Sequence, residues 1–189
     1  MRIQQVKLQR GNFIVKPPIL EPLFSGEIIS RRVRDLSLQI SSDYKKNRPV
    51  LIGVLKGAFI FLSDLARSLK VDADIDFVQI SSYGSSQVSS GACTLKKDIS
   101  IQVADRHVLI VDDIIDTGHT IAYLKQHLQQ HRPKSIKVCC LIDKQIARVS
   151  NLSIDYSAFT IQDGFVVGYG LDFDEQFRGL PEIYTMTAP

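Results

Sequence analysis

The chain reads as an α/β protein with a central, mainly parallel sheet flanked by helices. Three observations predict this. Short, largely apolar runs at Val50–Leu55, Ile75–Ile80, Val108–Val111 and Ile136–Ile142 read as strands, and the unbroken Val108–Val111 has the pattern of one covered on both faces. Segments with helical apolar spacing fall between them, so strand and helix alternate through the middle of the chain. The runs give way abruptly to polar residues, at Lys56-Gly57, Ser81-Ser82, Asp112-Asp113 and Asp143-Lys144. In an open α/β sheet such junctions share the carboxyl edge, where ligands bind.

Taken in order, residues 1–24 are polar and then broken by Pro17, Pro18 and Pro22, and read as an extended or irregular arm. Ser25 is placed to cap a helix over 26–46, in which Ile29, Val33, Leu36 and Ile40 share a face and Arg31, Arg32, Arg34 and Asp35 point outward. Pro49 introduces the strand to Leu55. Lys56-Gly57 and an apolar helix to about Leu69 follow, an arrangement that offers backbone N–H groups to an anion at the helix start. After the strand at 75–80, the serine- and glycine-rich span from Ser82 to about Ser100 exceeds an ordinary connection and reads as a mobile lid or a hairpin. The strand at Val108 ends in an acidic loop, and Ile121, Leu124 and Leu128 then mark a helix stopped by Arg132-Pro133. Ile136–Ile142 delivers Asp143-Lys144 to the same sheet edge, and Ile154–Ile161 is a further strand.

Composition narrows the classes. The chain has 189 residues, with 44% hydrophobic and 23% charged content, which suits one domain with an appended lobe and disfavours disorder. A net charge of +3, dispersed among acids, provides no nucleic-acid footprint. No apolar run reaches the ~18 residues of a membrane span and the N-terminus lacks a signal-like core, so a cytoplasmic location is expected. Cys93, Cys139 and Cys140 have neither zinc nor disulfide spacing and read as small hydrophobes.

The chemistry concentrates in HVLIVDDIIDTGHT, His107 to Thr120. Asp112, Asp113 and Asp116 repel one another unless a cation or hydroxyl groups compensate. With no histidine or cysteine ligand among them, a hard divalent ion such as Mg²⁺ is favoured. Carboxylates also accept hydrogen bonds from a vicinal sugar diol. Thr117-Gly118-His119-Thr120 adds hydroxyls and successive amides at a helix start, which suits a phosphate dianion. Acid beside phosphate cradle suggests a phosphorylated sugar. The bland alternative makes Asp116 a helix N-cap and the other acids a solvated turn. GxxxxGK[ST] is absent, so this is not the phosphate loop of nucleotide triphosphatases.

VLIVDDIIDTGHT resembles the 5-phosphoribosyl-1-pyrophosphate (PRPP) motif of the type I phosphoribosyltransferases. Leu55-Lys56-Gly57, Ser82-Tyr83, Asp143-Lys144, the run Phe165-Val166-Val167-Gly168-Tyr169-Gly170-Leu171-Asp172 and Phe177-Arg178 narrow the likeness to the hypoxanthine and hypoxanthine-guanine phosphoribosyltransferases, from about residue 20 to about 185. The resemblance implies that fold over 1–189 as a single domain, with a small hood from about 1–24 and 160–189. It implies PRPP and an oxopurine as substrates, Mg²⁺ as cofactor, and a homodimer or homotetramer.

It also implies roles. Asp112 and Asp113 would contact the ribose and, with Asp172, hold the metal. Asp116 would be the catalytic acid or base, and Asp116, Thr117, Gly118, His119 and Thr120 the 5′-phosphate loop. Leu55 and Lys56, joined by a cis peptide, would bind pyrophosphate with Gly57 and Arg178. Lys144, Phe165, Val166 and Asp172 would read the purine under a lid at Ser82 and Tyr83. Two departures stand out: Gln145-Ile146 where relatives often carry a nearby proline, and His119 in the phosphate loop. Arg148 is a further residue expected to reach pyrophosphate or a neighbouring subunit.

Overall fold

The structure, a computed structural model, describes residues 18–82, 93–145 and 152–187. Two sheets organise them. The larger has six strands: β2 (Val50–Leu55), β3 (Asp74–Ser82), β4 (Cys93–Lys97), β5 (His107–Ile115), β6 (Ser135–Lys144) and β7 (Tyr156–Ile161), in spatial order β4-β3-β2-β5-β6-β7. All pairings are parallel except β3 with β4. The apolar runs at β2 and β5 are continuous because neither face of these strands meets water; Val108 to Val111 are fully buried.

Helices cover both faces. The helices α1 (Gly26–Asp43) and α2 (Phe59–Ser68) pack with Leu51, Leu109 and Val111, while α3 (His119–Gln129) packs with Val50, Ile52, Val108 and Ile110. Alternate residues of β5 thus feed two cores. Cys139 and Cys140 divide between them in the same way, as neighbours on a strand must. Ser25 caps α1, its hydroxyl accepting from Ile28 N–H at 3.4 Å. The helix stops at Asp43, short of the expected Lys46. The outward arginines are not all merely solvated, since Arg32 Nε donates to Ala158 O at 2.9 Å and ties α1 to β7.

Two expectations that left alternatives open are resolved. The arm before Ser25 contains a regular strand, β1 (Ile19–Phe24), which pairs antiparallel with β9 (Ile183–Thr187); β9 also pairs with β8 (Val166–Val167) in a second, three-stranded sheet. Pro22 suggested irregularity, but β1 is an edge strand whose register shifts between Pro22 and Phe24, where a missing N–H is tolerated. Secondly, Ser82 to Ser100 begins and ends as a hairpin of β3 with β4. Its centre, including Tyr83, lies outside the described residues. No described helix is long and apolar enough to cross a membrane.

Asp76 on β3 anchors the chain as it leaves β4. Its buried carboxylate accepts from Phe77 N at 2.8 Å, Ile101 N at 3.0 Å, Ser100 N, and Lys97 Nζ at 3.4 Å. Burial pushes its pKa up, but these donors outweigh it and the balance is a lowered value. A lowered native pKa contributes stability above the unfolded value of about 3.9 that is lost as pH falls through the native one. Asp76→Ala is therefore expected to cost about 1–3 kcal/mol in urea unfolding at neutral pH. The gap from wild type should narrow below about pH 4.

Candidate active site

The strand order reverses between β2 and β5: the chain passes from β2 to β3 on one side, then returns to place β5 on the other. Their carboxyl ends diverge there, leaving the crevice typical of open α/β sheets. Lys56-Gly57 leaves β2 on one side of it, and the acids of β5 on the other. The cis peptide expected between Leu55 and Lys56 is present. Gly57 is fitted against β5 so closely that a Cβ there would lie 1.7 Å from Asp113 Oδ2. Gly170 approaches from the far side, where a Cβ would lie 2.2 Å from Gly57 O.

Asp112 and Asp113 belong to β5, not to the loop expected after Val111. Pairing with β6 continues past them, Asp112 opposite Cys140, Ile114 opposite Ile142 and Ile115 opposite Asp143, so the backbone has no reason to leave the sheet. The loop proper is Asp116-Thr117-Gly118. Gly118, in the left-handed region at φ 81°, is the N-cap of α3 and makes no side-chain cap bond, so Asp116 is not the cap that the bland alternative required. The first-turn amides of α3, which include those of His119 and Thr120, have no intrahelical carbonyl to meet.

Asp112 is 6% exposed. Its Oδ1 accepts from Asp113 N at 3.0 Å. Burial, and then the adjacent Asp113 charge, raise its pKa well above the ordinary carboxylate value. Asp113 is raised as well, chiefly by burial.

The crevice opens into a cleft of about 220 Å³ lined by Asp113, Ile114, Asp116, Lys144, Gly164, Phe165, Val166, Leu171 and Asp172. Lys144 reaches it from the end of β6, with Nζ 3.4 Å from Asp116 Oδ2 and 3.5 Å from Asp163 Oδ1. Phe165 presents a half-exposed ring, met edge-on by Phe173 at 5.6 Å. Val166 is buried on β8, and the backbone of Phe165 is held by Met186 N–H. At the other end, Arg178 donates to Gly170 O at 2.9 Å and lies 2.8 Å from Asp172 Oδ1 and 3.3 Å from Glu175 Oε2. Lys56 Nζ meets the same Glu175 oxygen at 3.0 Å. These two cations hold the Glu175 carboxyl below its usual range, Lys56 first.

The sequence-predicted residues of the central sheet and the Phe165–Arg178 segment therefore converge on one crevice and cleft. Ser82 ends β3, while Tyr83, Ile146 and Arg148 lie outside the described residues. Asp112, Asp113 and Asp172 do not converge as a three-ligand cluster: among described residues, the only three acidic, histidine or cysteine side chains with ligand atoms all within 4.8 Å are Asp98, His127 and His131. Asp163 and Glu175 sit among the site's cations without any sequence signal, being single acids in irregular segments.

A carboxyl whose native pKa is raised is more protonated in the folded than in the unfolded state, so its contribution to stability falls as pH rises from about 3.9 towards the native value. Asp112→Asn removes that loss. It should melt a few degrees higher than wild type at pH 7–8, by roughly 2–4 °C per kcal/mol for a chain of this size, and the difference should shrink on acidification in a thermal scan.

Residues 21–174 match the family described as phosphoribosyl transferase domain. The hypoxanthine-guanine phosphoribosyltransferase of Bacillus subtilis is 41% identical over 170 residues, covering 90% of this chain and 94% of that protein. That of Aquifex aeolicus is 42% identical over 166 residues, covering 87% and 93%. Among solved structures, a hypoxanthine-guanine phosphoribosyltransferase from Bacillus anthracis superposes with a TM-score of 0.85 at 42% identity, over 88% of this chain and 98% of that one.

Proposed function

The chain belongs to the phosphoribosyl transferase family, and from that premise we propose that it is a purine-salvage enzyme, a hypoxanthine-guanine phosphoribosyltransferase that moves the 5-phosphoribosyl group of PRPP to N9 of an oxopurine with release of pyrophosphate. One observation carries the choice of base: Lys144 Nζ stands 3.4 Å from Asp116 in a cleft walled by Phe165 and Val166, next to the amides that begin α3.

The residues divide the work. The Thr117-Gly118-His119-Thr120 amides and hydroxyls hold the 5′-phosphate dianion, and Asp112 and Asp113 accept from the ribose hydroxyls. Such acceptance compensates charge that β5 otherwise keeps out of water. Phe165 stacks on the base and Val166 reads its edge through the backbone. Lys144 donates to the 6-oxo group; adenine would turn an amino donor toward that ammonium, so that two donors face each other and the amino group finds no acceptor there. As N9 bonds to the anomeric carbon, the bond to pyrophosphate breaks and the proton on N7 passes to Asp116. Lys56 N–H and Arg178 receive the departing anion, displacing Glu175 from its two cations.

Mg²⁺ suits the carboxylates here, hard oxygen donors at the cleft rim with Asp172 foremost. When bound it neutralises charge on the pyrophosphate oxygens. Asp112 and Asp113, which do not gather with Asp172 into one three-ligand cluster, keep the ribose role. The terminal sheet serves as the hood over the base, the β3–β4 hairpin carries the lid with Ser82 and Tyr83, and the enzyme works in the cytoplasm as a homodimer or homotetramer.

The reaction is tested with purified protein, Mg²⁺ and PRPP offered hypoxanthine, guanine, xanthine and adenine in turn, following nucleotide formation. Turnover with hypoxanthine or guanine is expected, with adenine slower by roughly a thousandfold or more. Failure with every oxopurine would overturn the reading. Asp116→Asn should lower kcat by about 10²–10⁴ while PRPP binding, measured by calorimetry, changes little; undiminished kcat would remove Asp116 from its role.

A further inference from the structure

Away from the cleft, Asp98 just after β4 faces two histidines at the far end of α3. His127 lies in the last turn of that helix and His131 one turn later. Spacing of four residues puts both imidazoles on one face, with ring centroids 5.3 Å apart. The helix proper ends at Gln129, yet the winding persists because His131 N donates to Leu128 O at 3.0 Å and Arg132 N to Gln129 O at 3.1 Å. One ligand atom from each of the three side chains lies within 4.8 Å of the others.

This spacing fits a single metal ion. His127 Nε2 is 2.9 and 3.0 Å from the two Asp98 oxygens. Ligands on one ion at about 2.0–2.1 Å stand about 2.9 Å apart in a cis octahedral arrangement and about 3.4 Å apart in a tetrahedral one, so the pair can close on an ion with little movement. The carboxylate is oriented in advance: Ile99 N donates to Oδ1 at 2.7 Å, and Ser100 and Ile101 beyond it are fastened to the buried Asp76. Lys97 directs its ammonium at Asp76 and at the carbonyls of Phe77 and Asp98, not at the Asp98 carboxylate. A plain ion pair accounts for Asp98 and His127; it has no need of His131.

We propose that Asp98, His127 and His131 form a second divalent-metal site, of the Zn²⁺ class, that clamps the end of α3 to the segment leaving β4. Two imidazoles and one carboxylate are a borderline donor set that suits Zn²⁺ and its transition-metal neighbours and is poor for Mg²⁺, which keeps to oxygen. With Asp98 and His131 exposed, the remaining ligand positions are open to water. The site acts structurally. It joins the helix that begins at Gly118 to the root of the β3–β4 hairpin, at the end of α3 opposite the proposed phosphate loop.

The test uses the full chain stripped with a chelator and dialysed against Zn²⁺ in millimolar Mg²⁺, with bound metal counted by mass spectrometry. One Zn²⁺ per chain is expected, held against Mg²⁺. His131→Ala should weaken Zn²⁺ binding by about tenfold or more, and Cys93→Ser should leave it unchanged. At about a hundredfold excess over its dissociation constant, Zn²⁺ should raise the wild-type melting temperature by roughly 5–10 °C and that of His131→Ala far less. The apo melting temperature of the exposed His131→Ala variant verifies that it folds. No stoichiometric uptake, or uptake that His131→Ala leaves intact, would overturn the site.

Discussion

An ionisable side chain inside a parallel sheet is the constraint on which the rest of this molecule turns. Asp112 continues β5 beyond its fully buried aliphatic residues, paired with β6 one residue past the last pairing with β2, with Asp113 beside it. Both carboxyls are pushed towards the neutral form, mainly by burial. An apolar residue at Asp112 would be the more stable choice for the sheet, so the position is one where folding and ligand chemistry pull apart. The surroundings accommodate it: β6 supplies backbone partners past the acids, Gly57 gives Asp113 room, and Gly170 seats against Gly57. Loosening any one of these contacts would shift the others.

The parts legible in the sequence were those governed by local periodicity. β2, β5, β6 and α1 announce themselves through apolar runs, helical spacing and the Ser25 cap, and the acids of β5 mark where the strand meets the edge. Their boundaries were less legible, because whether Asp112 ends a strand depends on whether β6 is still alongside it. β1, β8 and β9 were hidden for a related reason. Their sheet forms only when Ile19 meets Thr187, and a proline in one strand and two residues in another leave no pattern to read. Glu175 is the clearest omission at the site. It comes to Lys56 across 119 positions, on a stretch where Tyr169, Asp174, Glu175 and Phe177 all take positive φ, a backbone path that side-chain identity does not signal.

The two sides of the cleft have different origins in the fold. Asp113, Asp116 and Lys144 ride on strands of the large sheet or on the turn that follows one, while Phe165, Val166 and Asp172 come from the terminal sheet and the loop beyond it. The seam between them is fastened by specific bonds: Tyr169 donates to Asp64 on α2 at 2.6 Å, and Arg178, Asp172, Glu175 and Lys56 form one chain of ion pairs. Rigid strands thus fix one wall, and a loop anchored at a few points sets the other. Different bases could be accommodated by changes in that loop without disturbing the large sheet.

The pairing of β1 with β9 has a temporal consequence. Strands separated by almost the whole described chain must find one another before the smaller sheet exists, a costly closure that follows the local pairings of the larger one. During synthesis the large sheet can condense while β1 waits with an unpaired edge, and the wall that carries Phe165 closes only after residue 187 has emerged. A chain extended only as far as the large sheet would carry one wall of the candidate site, with β1 as an unpaired edge open to pairing with another chain.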